Sequence, residues 1–116
     1  MSAVRIYHNP KCSKSRQTLA LLEENGIEPE IILYLDTPPS AAELAVIVGQ
    51  LDISPRQLLR KGEEEYKTHN LRDESIGDEQ VLAIMSANPK LIERPIGVKG
   101  EQAVLGRPPE NVLGIL

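Results

Sequence analysis

The sequence contains no phenylalanine and no tryptophan, and it has one cysteine among its 116 residues. Without these aromatic side chains, we expect a core built from Leu, Ile and Val. A single cysteine cannot form a disulfide within the chain. A structural zinc site needs several Cys or His ligands, and the sequence offers only Cys12, His8 and His69. We therefore predict no metal site, and any redox chemistry at Cys12 needs a thiol from another molecule.

A surplus of basic residues and a long apolar segment are also missing. The formal net charge is −4, which argues against a nucleic-acid-binding protein. No window approaches the roughly 18 apolar residues of a membrane span, and the N-terminus has no signal-peptide core. We expect a soluble cytoplasmic protein that binds neither nucleic acid nor membrane. Its length fits a single domain over residues 1–116.

The hydrophobic pattern predicts a β-α-β unit at the start of the chain. The expected elements are a strand at Ala3–Tyr7, a helix from about Ser13 to Asn25 and a strand at Glu30–Tyr34. Gly26 suits the end of the helix because glycine tolerates the left-handed conformation found there. A unit this short predicts a parallel strand pair joined by a right-handed crossover.

Helical segments are predicted in the middle of the chain. Ser40–Glu43 is a capping box followed by apolar residues at helical spacing. Ser54–Leu59 fits a short helix with proline at its first position. The polar stretch Gly62–Ser75 is expected to be a loop with a helical turn. Asp78 is expected to cap a helix that ends before Pro89.

Two short strands and a helical tail complete the predicted fold. Ile96–Val98 and Ala103–Leu105 flank a turn at Gly100 and predict a hairpin. In the tail Pro109–Leu116, apolar residues recur at helical spacing. The order β-α-β, helices, β-β-α predicts an α/β protein with a thioredoxin-like fold, an inserted helical segment and a four-stranded mixed sheet.

Cys12 lies between the first strand and the first helix. The first turn of a helix presents unpaired N–H groups and the positive end of the helix dipole, which stabilise an anion. A thiol there has a lowered pKa and reacts as the thiolate, and the same amides can bind an oxyanion. We predict that Cys12 is a catalytic nucleophile. The alternative, an inert buried cysteine, fits poorly with its polar neighbours.

The residues around Cys12 favour negative charge. Those with cationic side chains within four positions of it are His8, Lys11, Lys14 and Arg16. We predict that Arg16 stabilises the thiolate and that Ser15 donates a hydrogen bond to the sulfur or caps the helix. The pattern leaves open whether His8 pairs with the sulfur or is an ordinary loop histidine. His69 is expected to be solvated.

Three further arginines are candidates for binding an oxyanion. Arg94 and Arg107 each precede a proline, which confines them to extended backbone. Arg60 follows a short predicted helix. A guanidinium binds a tetrahedral oxyanion through paired N–H donors, which lysine cannot copy. Taken one at a time, each arginine fits a surface charge better than a ligand. The sequence leaves open whether the Arg94–Pro95 bond is cis.

Four motifs together resemble the glutaredoxin-coupled bacterial arsenate reductases, the ArsC family. They are HNPKCSKSR at 8–16, LLRK at 58–61, RPI at 94–96 and GRP at 106–108, and the likeness extends from residue 3 to residue 116. The resemblance implies that Cys12 is catalytic and that Arg60, Arg94 and Arg107 bind the oxyanion. It also implies that His8 keeps the thiol deprotonated and that Ser15 hydrogen-bonds nearby.

The resemblance further implies a reaction sequence that a single cysteine can support. The Cys12 thiolate attacks arsenic(V) of arsenate and displaces water or hydroxide. Glutathione, the co-substrate, then adds to the adduct, and the partner glutaredoxin resolves it with release of arsenite. Every later thiol comes from outside the chain, and no bound cofactor is implied.

Three other protein classes are alternatives to a glutaredoxin-coupled arsenate reductase. Another class of arsenate reductase has arginine six positions after cysteine and additional cysteines, and it is excluded by Thr18 and the single cysteine. A glutathione-dependent thiol reductase of the same fold fits Cys12-x-x-Ser15 but leaves the three arginines without a role. A Spx-like RNA polymerase-binding regulator typically has Cys-x-x-Cys, and stoichiometric binding of RNA polymerase would identify one.

Overall fold

The computed structural model describes residues 3–116. The chain divides into two compact units. One unit contains the N-terminal segment through Thr37 together with Arg94–Leu116, and the other is Pro38–Glu93. The predicted helical segment is thus a compact unit of its own. The single domain over residues 1–116 remains a prediction.

The first unit is built on a β-sheet. Its elements are β1 (Val4–Tyr7), α1 (Ser13–Glu24), β2 (Glu30–Ile32), β3 (Ile96–Lys99) and β4 (Gln102–Leu105). Within the described residues the sheet has four strands in the order β2-β1-β3-β4. β1 and β2 are parallel, whereas β3 is antiparallel to both β1 and β4. The predicted α/β class, mixed sheet and thioredoxin-like order are confirmed.

The register of β1 places several chain segments at one edge of the sheet. Tyr7, the last residue of β1, pairs with Ile32 at the end of β2 and with Ile96 at the start of β3. Ile96 also pairs with Leu105 at the end of β4. The loop after β1, the turn after β2 and the residues that flank the hairpin therefore meet at this edge. Cys12 lies on the first of these segments.

An aliphatic core holds this unit together. A 3-10 helix at Pro109–Ile115 packs with α1 and the sheet. The buried core residues are Val4, Ile6, Leu22, Val112 and Ile115. Burial of each such side chain stabilises the fold by about 1.5–3 kcal/mol. Tyr7 and Tyr34 are also buried, so the core is less strictly aliphatic than expected.

The second unit is helical. It contains α2 (Ala41–Leu51), a 3-10 helix (Pro55–Leu58), α3 (Glu64–Thr68), α4 (Asp78–Ala87) and a second 3-10 helix (Pro89–Leu91). α2 packs against α4 through buried aliphatic side chains. As predicted, the N-terminus of α2 is capped, because Ser40 Oγ accepts a hydrogen bond from the Glu43 N–H at 3.1 Å.

Several predicted element boundaries differ from the observed ones by one or two residues, and two of these differences have a clear physical cause. β2 ends at Ile32 rather than Tyr34, because the carbonyl of Leu33 accepts hydrogen bonds from the N–H groups of Asp36 and Thr37 and forms a turn. The N-cap of α4 is Gly77 rather than Asp78. Asp78 is instead the first helical residue, where its carboxylate faces the positive end of the helix dipole.

The described helices are too short for a membrane span. No helix within residues 3–116 is long and apolar enough to cross a bilayer.

Candidate active site

Cys12 is the N-cap residue of α1. Its backbone is extended, with φ −95° and ψ 123°, and its N–H donates to the carbonyl of Asn9 at 3.0 Å. The residue is buried, with 9% of its surface exposed. No acidic residue occurs in the first turn of α1. The positive end of this helix dipole is therefore not neutralised locally.

Two opposing influences act on the pKa of the Cys12 thiol. Burial raises it, and hydrogen bonds from the Ser15 N–H, the Arg94 side chain and the Lys14 N–H lower it, as does the positive charge of Arg94. The net effect is a pKa below the ordinary value. Because the donors are main-chain groups of the first helical turn and a guanidinium, the sulfur is stabilised as a thiolate.

Arg94 and Arg107 lie on the same side of Cys12. Arg107 Nη2 is 3.7 Å from Cys12 Sγ, and Arg107 Nε donates to the carbonyl of Arg94 at 2.7 Å. Each arginine precedes a proline through a cis peptide bond, at Arg94-Pro95 and Arg107-Pro108. The two guanidinium groups and the thiolate sulfur thus form one cluster of positive and negative charge.

Gly106 allows the chain to pass close to the segment that holds Arg94. Its N–H donates to the carbonyl of Pro95 at 2.9 Å. A Cβ atom at this position would lie 2.5 Å from Thr18 Oγ1 and 2.7 Å from Pro95 Cγ. Only glycine fits this space without displacing its neighbours, so Gly106 helps to position Arg107.

His8 and Ser15 form a buried hydrogen-bonded pair behind the Cys12 loop. Ser15 Oγ is 2.8 Å from His8 Nδ1 and accepts from the Asn9 N–H at 3.0 Å. Burial lowers the pKa of His8, and the charge of Arg16 lowers it further. The lowered pKa favours the neutral imidazole at pH 7. Its Nδ1 is hydrogen-bonded to the hydroxyl of Ser15. The predicted effects of His8 and of the Ser15 hydroxyl on the thiolate remain predictions.

Arg16 is exposed on the first turn of α1. Its Nη1 donates to the carbonyl of Pro10 at 2.9 Å, which fastens the loop before Cys12 to the helix. The same loop is held by Asn9 Oδ1, which accepts from the Lys11 N–H at 3.0 Å. The structure thus gives Arg16 a contact with the loop, and its predicted stabilisation of the thiolate remains a prediction.

Arg60 belongs to the helical unit. Its N–H donates to the carbonyl of Leu91 at 2.8 Å. Arg60 Nη1 is 2.7 Å from Glu93 Oε1, and Nε is 3.7 Å from Glu63 Oε2. The guanidinium is thus paired with carboxylates inside its own unit. Its predicted role in binding an oxyanion remains a prediction.

The position of Cys12 predicts that N–H groups of the first helical turn act on its sulfur, and in the structure these are the N–H groups of Lys14 and Ser15. Two other groups that shape the site were missed in the sequence. One is Asn9, although Asn-Pro is a known turn signal; its side chain and main chain hold the Cys12 loop. Gly106 could have been found only from its close contacts in the folded chain.

Groups of metal-ligating side chains were also sought. In the described part of the chain, no three His, Cys, Asp or Glu residues lie together in a way that could hold a metal ion.

Comparison with known proteins identifies the family. The model of the ArsC family matches residues 7–115. The chain belongs to the ArsC family. The arsenate reductase of Haemophilus influenzae is 49% identical over 115 residues, covering 98% of this chain and 99% of the relative. The uncharacterized protein YfgD of Escherichia coli is 54% identical over 114 residues, covering 97% and 96%.

A solved structure supports the same relationship. The arsenate reductase from Vibrio cholerae superposes with a TM-score of 0.96 at 54% identity, covering 99% of this chain and 98% of that one. Both the family predicted from the sequence motifs and the thioredoxin-like fold predicted from the order of the elements are thereby confirmed. In this ArsC-family chain the conserved fold places Cys12 beside Arg94 and Arg107.

Proposed function

We propose that this protein is an arsenate reductase of the cytoplasm that uses Cys12 as its nucleophile and glutathione and glutaredoxin as reductants. The observation that carries the proposal is the 3.7 Å approach of Arg107 to a sulfur whose pKa is lowered. A thiolate next to guanidinium groups suits an anionic substrate, because the same donors that stabilise the sulfur can receive oxyanion oxygens. Relatives named arsenate reductases support the choice of arsenate.

In the first step the Cys12 thiolate attacks arsenic(V). A sulfur–arsenic bond forms, and one arsenate oxygen leaves as water after protonation. Arg94 and Arg107 bind the remaining oxygens and offset their negative charge. Arg60 is proposed as a third ligand, which requires its guanidinium to exchange a carboxylate partner for the oxyanion.

The later steps need sulfur from outside, because the chain has one cysteine. Glutathione adds to the arsenic adduct, and glutaredoxin resolves it with release of arsenite. Over a full cycle arsenic gains two electrons, two external thiols each lose one and become a disulfide, and Cys12 is regenerated. Glutathione is thus a co-substrate, and the cycle needs no resident cofactor.

The proposal is tested by following NADPH consumption with arsenate, glutathione, glutathione reductase and glutaredoxin. We expect consumption that depends on arsenate, on the protein and on both thiol components. Cys12→Ser should abolish it while the far-ultraviolet circular dichroism stays that of the wild type. Equal turnover by the wild type and Cys12→Ser, or no arsenate-dependent turnover by the wild type, would refute the proposal.

A further inference from the structure

A second feature lies beside Cys12, on the side of β2. A cleft of about 250 Å³ is lined by residues 8–11, which lead into Cys12, and by Leu33, Leu35 and Asp36, which follow β2. We call it the β2 cleft. Leu33 and Leu35 are 40% and 37% exposed. Apolar surface of this kind next to a nucleophile is suited to holding part of a second reactant.

The sheet register separates this cleft from the arginines. Tyr7 at the end of β1 pairs with Ile32 on one side and with Ile96 on the other. Leu33 continues the chain from Ile32, whereas Arg94 lies just before Ile96. The β2 cleft and Arg94 therefore flank the end of β1 on opposite sides. An oxyanion held by the arginines leaves the β2 side open to a thiol.

The size of the cleft points to a small peptide. Its volume is just below the roughly 300–1,000 Å³ of typical small-molecule pockets. An adjoining cleft of about 330 Å³ follows β2 and shares Leu33 and Asp36 with it. Together the two clefts extend along β2 from the Cys12 loop. An extended tripeptide, about 10 Å long, matches such a shape better than a single amino acid does.

The charged residues of the β2 cleft indicate which charges its ligand carries. Lys11 lines the wall formed by the Cys12 loop, and Asp36 lies where the two clefts meet. A ligand that is complementary to both has a carboxylate at one end and an ammonium at the other. Glutathione has a glycyl carboxylate at one end, and its γ-glutamyl end carries an ammonium beside an α-carboxylate, with the thiol between the two ends.

We propose that the β2 cleft binds glutathione, with Lys11 receiving the glycyl carboxylate and Asp36 the γ-glutamyl ammonium. The inference rests on the proposed function, in which a small thiol is the reductant. Beyond that function, we infer where the thiol binds and which residues recognise it. Lys11 and Asp36 are positioning residues, since neither contacts the sulfur that reacts.

The test uses thiol–disulfide exchange without arsenate. The Cys12 thiolate attacks one sulfur of glutathione disulfide, the sulfur–sulfur bond breaks, and one glutathione thiolate leaves. The protein retains the other glutathione as a mixed disulfide, which intact-mass spectrometry measures. The neutral reagent 2-hydroxyethyl disulfide undergoes the same exchange and reports the reactivity of Cys12 alone. The ratio of the two rates measures recognition of glutathione.

We expect Lys11→Met and Asp36→Asn each to lower this ratio by about twofold to fivefold, as for the loss of one exposed charge pair. The rate with 2-hydroxyethyl disulfide should not change in Asp36→Asn. In Lys11→Met this rate corrects for the effect of the lost cationic side chain on the reactivity of Cys12. Asp36→Asn is the sharper variant. Glutathione disulfide has a net negative charge, so removing an acidic residue should speed its reaction if only overall charge matters. Binding of the ammonium by Asp36 predicts a slower reaction instead.

The matched controls are Lys67→Met and Asp52→Asn, exposed residues of the helical unit, and both should keep the wild-type ratio. An unchanged ratio in both cleft variants, or a faster reaction of Asp36→Asn, would overturn the inference. So would a defect confined to exchange with glutaredoxin, because that result would identify a protein-docking surface. Failure of arsenate turnover alone would refute the proposed function and leave the exchange result standing.

Discussion

At the scale of single residues, Arg94 has two effects on Cys12. It donates a side-chain hydrogen bond to the sulfur and adds a positive charge, and both lower the pKa of the thiol. We expect Arg94→Met to raise that pKa and to shift the pH profile of alkylation by iodoacetamide toward higher pH. In the wild type, alkylation should slow only when the pH falls through the lowered pKa. Arg5→Met, an exposed variant on β1, is the control, and coincident profiles for all three proteins would contradict this account.

Ser15 affects the site through two different groups. Its N–H lowers the pKa of Cys12, and its hydroxyl bridges His8 and Asn9 in the interior. Ser15→Ala removes only the hydroxyl and leaves buried polar partners unsatisfied. We expect a loss of about 1–3 kcal/mol in the free energy of unfolding, measured in urea. The alkylation profile of Cys12 in the same variant tests the predicted effect of the hydroxyl on the thiolate.

The exposed Ser13→Ala is the control for this variant, because Ser13 lies on the same helical turn. It should leave the free energy of unfolding within about 0.5 kcal/mol of the wild type. A large shift in the pKa of Cys12 in Ser15→Ala would show that the hydroxyl, rather than the main chain, stabilises the thiolate.

Gly106 is a position at which substitution by alanine, which adds one methyl group, should disturb the site. The added Cβ would lie 2.5 Å from Thr18 Oγ1 and 2.7 Å from Pro95 Cγ. Gly106→Ala should therefore lower the free energy of unfolding by about 1–3 kcal/mol. It should also move Arg107 and weaken arsenate use. Gly114→Ala, whose Cβ would meet nothing within 4 Å, is the matched control in the same unit. Equal unfolding midpoints for the two variants would show that the packing around Gly106 is less strict than the structure indicates.

At the scale of elements, the cap of α2 supports the helical unit. Ser40 Oγ accepts a hydrogen bond from the Glu43 N–H, so Ser40→Ala should lower the free energy of unfolding by about 0.5–2 kcal/mol. Ser40→Asp keeps an acceptor at the N-cap and should restore most of the loss. A Ser40→Asp protein as unstable as Ser40→Ala would argue against the capping explanation.

The elements also illustrate how far the sequence can be interpreted. α2 was predicted well because its cap and its apolar period agree. β2 was predicted too long because Leu33 and Tyr34 continue an apolar run, and only the hydrogen bonds to the Leu33 carbonyl end the strand. Asp78 is predicted as the N-cap of α4 because aspartate is a common N-cap residue. Glycine also occurs at the N-cap, and an acidic residue in the first turn then interacts favourably with the helix dipole.

At the scale of the whole molecule, three arginines are the proposed oxyanion ligands. Arg94 and Arg107 flank the β3–β4 hairpin, and Arg60 belongs to the helical unit. We expect Arg60→Ala, Arg94→Ala and Arg107→Ala each to lower kcat/KM for arsenate by about tenfold or more, as for the loss of a hydrogen bond to a charged group. Unfolding midpoints should change less, and Arg5→Ala should change neither quantity.

Unaltered arsenate kinetics in all three variants would exclude an arginine site for the oxyanion. An effect confined to Arg94 and Arg107 would exclude Arg60 as a ligand. Arg60 is paired with Glu93 and Glu63, so its variant tests whether the guanidinium exchanges a carboxylate partner for the oxyanion.

The candidate site as a whole was predicted in part. The motifs around Cys12, Arg94 and Arg107 identified residues that the fold brings together. The position of Cys12 before a predicted helix also indicated the main-chain donors. Sequence patterns could not reveal the carboxylate partners of Arg60 or the cleft beside β2, because both depend on contacts between residues that are distant in the chain.

The proposed chemistry requires that the folded chain hold Cys12 as a thiolate. The most direct test is a titration of thiolate absorbance in the ultraviolet, with Cys12→Ser subtracted as the blank, since the chain has one cysteine. The account predicts a midpoint below the roughly 8.5 of a free thiol, and a rise of that midpoint in Arg94→Met. A midpoint at or above about 8.5 in the wild type would contradict it.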